Sequence, residues 1–219
     1  MTAGHDNLTT AERFQALWNR CRLSTAKVAT AALYRTLCTH YGSPGRYYHT
    51  LSHLNHCLHE FDAIGPCDVA ADAIELSLWF HDVIYVPGAA NNELRSAEAF
   101  AEQARGTLPD TLVALVHRLI LATTHRLPPG DDTEAWVIDI DLSSFGLAWP
   151  AFLRDSQHVR EEQRAFDDAH YYAAQCRFLR GLCERPQIFT TAHFRARYEA
   201  QARDNIARLL DAIADGMQL

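Results

Sequence analysis

Lysine is almost missing from this chain: nineteen of its twenty basic residues are Arg, and Lys27 is the exception. That is a compositional bias and marks no site. A surplus of positive charge is missing too, since the formal net charge is −7 and the pI about 5.9. A nonspecific grip on nucleic acid or on an anionic membrane needs a net basic surface, which this composition excludes. It leaves room for a small anionic substrate held by a few local arginines. No apolar run approaches the ~20 residues that span a bilayer. The first seven residues show no basic region ahead of an apolar run, so no secretory signal is expected. The six cysteines (Cys21, Cys38, Cys57, Cys67, Cys176 and Cys183) form no CxxC pair. Most fall on apolar faces of helical patterns, where a free cysteine acts as a small hydrophobe. That usage fits a reduced, cytoplasmic protein. No segment alternates with period two between turn signals, so no strand is predicted. Repeats, low-complexity tracts and linkers are absent as well.

What is present is the balance of an ordinary globular protein, 48% apolar and 21% charged over 219 residues. That length buries a real core in one domain. Thr9-Thr10-Ala11-Glu12 has the form of a capping box, opening a helix with Phe14, Leu17, Trp18 and Cys21 on one face. A second helix has Val28, Ala31, Ala32, Leu37 and Cys38 on its apolar side, and Gly42-Ser43-Pro44-Gly45 ends it. The run from Arg46 to Leu54 leads into a third helix that continues to about Ile64 and is broken by Gly65-Pro66; a fourth carries Ile74 and Leu78 into His81-Asp82. Asn91-Asn92-Glu93 starts a fifth, reaching about Arg105, and Leu112 to Thr124 is a strongly apolar sixth. Thr133 caps a seventh from Glu134 to Phe145, stopped by Gly146. Three more follow, broken near Asp167 and at Pro186 and ending near Gly216. The reading is all-α, one domain over 1–219, with helices of 150–216 packed on a motif-bearing core of about 46–146.

The stretch Trp79-Phe80-His81-Asp82-Val83-Ile84-Tyr85 draws the chemistry together. An apolar helix runs into an adjacent imidazole and carboxylate, and Val86-Pro87-Gly88 breaks it. An unpaired charge at that buried end is expensive, and a bound cation satisfies both groups. The dipeptide is common, so it needs partners. His49 and His53 stand four apart, near one face if the helix already includes His49. Asp139 and Asp141 sit in an otherwise apolar helix. A histidine, a His-Asp pair and a distant aspartate make a mixed N/O shell. It suits Mn²⁺, Fe²⁺, Co²⁺, Ni²⁺ or Zn²⁺, and Mg²⁺ less well. Four protein ligands leave a six-coordinate ion open positions, which is catalytic in kind. A zinc-protease reading of His49-x-x-x-His53 fails, because Thr50 stands where the general-base Glu belongs.

This order, His…His-Asp…Asp on helices, resembles the HD superfamily of metal-dependent phosphohydrolases. Tyr48-His49-Thr50-Leu51-Ser52-His53 is similar to the Tyr-His-Asn-x-x-His motif of class I cyclic-nucleotide phosphodiesterases. His81-Asp82-Val83 with Pro87-Gly88 and Asn91-Asn92 echoes their His-Asp-Val-Asp-His-Pro-Gly loop. One extra residue precedes Pro87-Gly88 here, and Tyr85 stands where those enzymes have a second-metal histidine. Asn92-Glu93-x-x-Ser96-Ala97 and the Asp139-to-Leu142 run resemble a bacterial group of HD phosphohydrolases of unassigned substrate. The likeness covers roughly 46–146, with a weaker echo at Glu199, Ala202, Arg203 and Asn205.

The resemblance implies an HD-type helical bundle with His53, His81, Asp82 and Asp141 as metal ligands, and Asp139 behind them. It implies hydrolysis of a small phosphate ester, nucleotides among the candidates, by metal-activated water, with His49 protonating the leaving group. Glu93 would position the water or a second ion; Arg46, Asn92, Arg95 and His125 would line the substrate. Each has a plainer role: Asn92-Glu93 as a helix start, His125 as a complement to a helix C-terminus, the arginines as surface. Two other functions share the residue pattern. A mixed-valent di-iron HD oxygenase would need further imidazoles, with His125 and His49 the spares. A metal-containing nucleotide sensor would bind without turnover. Several amphipathic helices would also serve a homodimer.

Overall fold

The computed structural model describes residues 7–26, 29–65 and 70–219. Lys27, Val28, Pro66 and Cys67 lie outside the described residues. Ten α-helices and one short 3-10 helix make up the described chain, and it contains no strand. The protein is all-α. No described helix is long and apolar enough to cross a membrane. Its contacts group it into two units, residues 1–44 with 49–128, and 45–48 with 129–219.

The first unit holds α1 (Ala11–Cys21), α2 (Thr30–Tyr41), α3 (Leu51–Ala63), α4 (Ala71–Phe80), α5 (Asn92–Ala104) and α6 (Asp110–Ala122). Helix α4 is its axis. Every residue from Ala73 to Phe80 is buried, as expected for a helix apolar nearly all round. Helices α1, α3, α5 and α6 pack against it. Phe14 of α1 meets Trp79 edge-on with centroids 5.1 Å apart, and Phe100 of α5 meets Phe80 likewise at 5.0 Å. The Tyr41 hydroxyl of α2 donates to the Trp79 carbonyl at 3.2 Å. One acid, Glu75, lies inside this helix at 4% exposure. Its carboxylate accepts from Arg13 at 2.7 Å and Arg20 at 3.1 Å, both on α1, so the buried charge is paired.

The second unit holds α7 (Asp132–Leu142), a 3-10 turn (Ser143–Gly146), α8 (Trp149–Glu162), α9 (Asp168–Glu184) and α10 (Ala192–Ala214). Helix α10 packs on the 3-10 turn. Gly146 allows that approach, because a Cβ there would come within 2.5 Å of Tyr198. The Asn205 carboxamide donates to the carbonyls of Phe145 and Leu147 at 2.8 and 2.7 Å, fastening α10 to both sides of the turn.

Several helix ends differ from expectation by a residue or two. Thr10, not Thr9, caps α1, accepting from the Arg13 amide; with Arg at that position the pair is a simple cap and no capping box. Asp131 caps α7 by accepting from the Glu134 amide, so Thr133 lies inside the helix. The Asn91 side chain makes no cap bond. Ala31 and Ala32 are exposed, and α2 buries Leu37 as expected together with Leu33 and Tyr41. Small side chains carry little information on facing, so the larger residues one turn apart set the buried stripe.

The Gly146 contact makes a stability prediction. Gly146→Ala should cost about 1–3 kcal/mol through overpacking against Tyr198, read as a lowered urea midpoint with an unchanged slope. An unaltered midpoint would show that the two backbones are not held this close.

Candidate metal centre

Helix α4 stops at Phe80, and His81 is its C-cap, with helical backbone angles and 1% exposure. Its ring is oriented by the helix itself. Nδ1 lies 2.8 Å from the Leu78 carbonyl oxygen. A carbonyl only accepts, so Nδ1 carries the proton and Nε2 is the atom turned toward neighbours. Asp82 Oδ2 is 3.0 Å from that Nε2, and His53 Nε2 is 3.2 Å from it. His53 Nε2 and Asp82 Oδ2 are 3.6 Å apart.

His53 reaches this point from α3, whose N-cap is Thr50, its side chain accepting from the Ser52 amide. The helix therefore begins after His49, and the two histidines do not share a helical face. They meet nonetheless. The His49 and His53 rings are 6.3 Å apart, and His49 stacks on Tyr85 with centroids 4.0 Å apart and planes at 24°. Cys57, one turn after His53 and fully buried, places Sγ 3.7 Å from His53 Nε2. His53, Cys57 and His81 each offer a ligand atom, and all of these lie within 4.8 Å of one another.

This donor set fits a metal ion. N and O ligands about 2.1 Å from one ion, at tetrahedral or octahedral angles, stand about 3.0–3.4 Å apart. Two of the three separations here, 3.0 and 3.2 Å, fall in that range, and the third, 3.6 Å, lies just above it. With Nδ1 of His81 protonated, Nε2 points a lone pair at a carboxylate, a repulsive contact unless positive charge lies between. A proton on Nε2 or a cation shared by all three supplies it. The second choice uses the Nδ1–carbonyl bond as metal-bound histidines commonly do, to fix tautomer and orientation. Burial pushes the Asp82 carboxyl up, but the imidazoles of His81, His49 and His53 outweigh it and hold it well below the usual carboxylate range. The carboxylate is thus ionised and ready as a ligand.

The segment after Asp82 is pinned by α5. Asn92 accepts from the Val86 amide at 2.9 Å and donates back to the Val86 carbonyl at 3.0 Å. Ser96, one turn on and fully buried, accepts from the Ile84 amide at 3.0 Å and donates to its carbonyl at 3.2 Å. Buried Ala97 lets α5 come close. The Asn-x-x-x-Ser spacing is a loop clamp, and the Asn92 carboxamide is occupied in it. Glu93 lies half-buried in the first turn of α5, while Arg95 is exposed on the same helix. His125 follows α6 with φ 55°, in the left-handed region. Its amide donates to the Ala122 carbonyl, as a helix-terminal residue does.

The remaining candidates lie in the second unit. Asp139 is fully buried on α7, and its two oxygens accept from the amides of Thr190 and Thr191 at 2.9 and 2.7 Å. Burial still holds its carboxyl above the ordinary value. Asp141, two residues on, is half-buried and turned about 200° around the helix from Asp139. Arg46 is half-buried in the 45–48 segment. Its neighbours Tyr47 and Tyr48 both donate their amides to Glu162, at 2.8 Å each. The Tyr48 hydroxyl meets Ser144 at 2.9 Å.

Two participants escaped the sequence reading. Cys57 had a legible signal, its four-residue spacing from His53, but counted there as an apolar-face residue. Glu162 had none, since its amide partners are more than a hundred residues away. Compared with protein-family models, curated proteins and solved structures, the chain gives no match.

A cation held by the folded chain alone stabilises it by mass action. At a hundredfold excess over its Kd, Zn²⁺ or Co²⁺ should raise the Tm by about 5–10 °C. His81→Ala and Asp82→Ala should each abolish the shift in thermal scans with and without chelator. An equal shift in wild type and both variants would place the ion elsewhere.

Proposed function

We propose that the chain is a metal-dependent phosphohydrolase of HD type, acting on a small phosphate ester such as a nucleotide. The observation that carries the reading is the meeting of His53, His81 and Asp82 through their ligand atoms, with the His49 ring beside them. In the resembled superfamily this grouping is the catalytic metal site.

Asp141 is the fourth ligand in this reading. What supports it over Asp139 is chemical: Asp139 spends both oxygens on backbone amides, and the helical angle turns Asp141 another way. When bound, the ion would lower the pKa of a water toward neutrality and offset charge on the phosphoryl oxygens. The protein's own groups do the rest. His49 delivers a proton to the departing ester oxygen, a contribution of about 10²–10⁴-fold. Tyr85 holds that imidazole by stacking. With a phenol where related enzymes carry a second-metal histidine, the mechanism runs on one ion. Glu93 orients the water, Arg46 and Arg95 clasp phosphate oxygens, and His125 borders the substrate. Asn92 acts indirectly, holding the loop after Asp82.

The test is turnover of phosphomonoesters, phosphodiesters and nucleotides with Mn²⁺, Co²⁺, Ni²⁺ or Zn²⁺. His81→Ala, Asp82→Ala and Asp141→Ala should lose metal and activity together. His49→Ala should keep the ion and lower kcat by about 10²–10⁴-fold. Asp139→Asn should chiefly cost stability, about 1–3 kcal/mol, by facing an amide with an amide. Stoichiometric metal with no hydrolysis across the panel would refute the enzymatic reading.

A further inference from the structure

We propose that Cys57 is itself a ligand, giving the centre a thiolate and a preference for Zn²⁺, Co²⁺ or Fe²⁺ over Mg²⁺ and Mn²⁺. The inference rests on the metal-binding part of the reading above and is independent of the hydrolytic part.

A buried cysteine is ordinarily a small hydrophobe, but Cys57 stands apart from its fellows. Cys21, Cys38, Cys176 and Cys183 are all half-buried, whereas Cys57 is fully enclosed. Among the described residues it is the cysteine grouped with imidazole donors. Its placement is the stronger point. Helix α3 sets Cys57 one turn beyond His53, on the same face. Sγ lies nearer to Nε2 of that ring, at 3.7 Å, than to Nδ1, at 4.0 Å. The sulfur therefore lies along the flank of the ring, slightly toward its Nε2 side. A tetrahedral ion with a sulfur at about 2.3 Å and a nitrogen at about 2.1 Å separates the two by about 3.6 Å. The Sγ–Nε2 spacing matches that value, and ligation needs the thiol to swing about its Cα–Cβ bond toward the Nε2 lone pair.

A thiolate changes what the site accepts. Imidazole and carboxylate alone leave the choice of first-row metal wide, while sulfur favours softer ions and disfavours magnesium and manganese. Binding displaces the thiol proton to solvent and forms one metal–sulfur bond, with no change in oxidation state. Cys57 is fully buried, which keeps competing water away from the sulfur.

Cobalt reports sulfur ligation optically and independently of activity. Co²⁺ added to the metal-free full chain should give visible d–d bands together with a thiolate-to-cobalt charge-transfer band in the near ultraviolet. Cys57→Ser and Cys57→Ala, checked for helicity by circular dichroism, should keep the d–d bands and lose the charge-transfer band. Their Zn²⁺ affinity should fall at least about tenfold, with Mn²⁺ affinity unchanged. Cys176→Ser should behave as wild type. The d–d bands without charge transfer in wild type would overturn the role of Cys57 and leave the metal centre standing. A charge-transfer band that survives both Cys57 variants would overturn it equally. No Co²⁺ binding at all would bring down the centre itself.

Discussion

At the end of the most deeply buried helix in the first unit, an imidazole is locked by its own backbone. The Leu78 carbonyl takes the Nδ1 proton of His81 and leaves Nε2 facing an ionised aspartate and a second imidazole. With the Nε2 lone pair of His81 turned to a carboxylate, the three groups stay this close only with a proton or a cation among them. The other features of the site either create this constraint or preserve it. Helix α4 creates it by carrying His81 and Asp82 out of the core at a fixed angle. The clamp of Asn92 and Ser96 preserves it by denying the following loop another path.

The same helix contains a useful contrast. Glu75 is as buried as the centre, yet two arginines neutralise it, with their guanidinium groups at hydrogen-bonding distance. That is a complete structural solution to a buried charge. Asp82 meets imidazoles instead. Its neighbours are His81, His53 and His49, groups that hold positive charge only when protonated and that ligate metals when neutral. Two acids close in sequence thus have different fates, one fixed as architecture and the other available for chemistry.

The helices were legible because apolar periodicity spans ten or more residues, so an error at one position hardly matters. Ends were less so. Thr9 and Thr10 are chemically equivalent as caps, and local sequence does not choose between them. Likewise, Asp131 and Thr133 both suit the start of α7. His81-Asp82 could be singled out because a polar pair at the end of an apolar helix conflicts with burial. His49 shows the limit: its spacing from His53 suggested a shared face, whereas the helix starts two residues beyond it, at Leu51, and tertiary stacking on Tyr85 brings it near. Cys57 was hidden by its own chemistry, since a thiol matches the apolar pattern. For Asn92 the sequence reading supplied two roles, helix start and substrate contact, and the structure displays a third. Glu162 could not be read at all, because its partners are assembled by the fold.

The central claim is that one cation joins ligand atoms far apart in the chain. Crystals of the protein grown with Co²⁺ or Zn²⁺, with anomalous diffraction recorded above the metal edge, test it most directly. The account predicts a single strong peak within about 2.0–2.3 Å of His53 Nε2, His81 Nε2 and an Asp82 oxygen. A protein that binds the ion in solution yet shows no peak there, or a peak against other side chains, would contradict it.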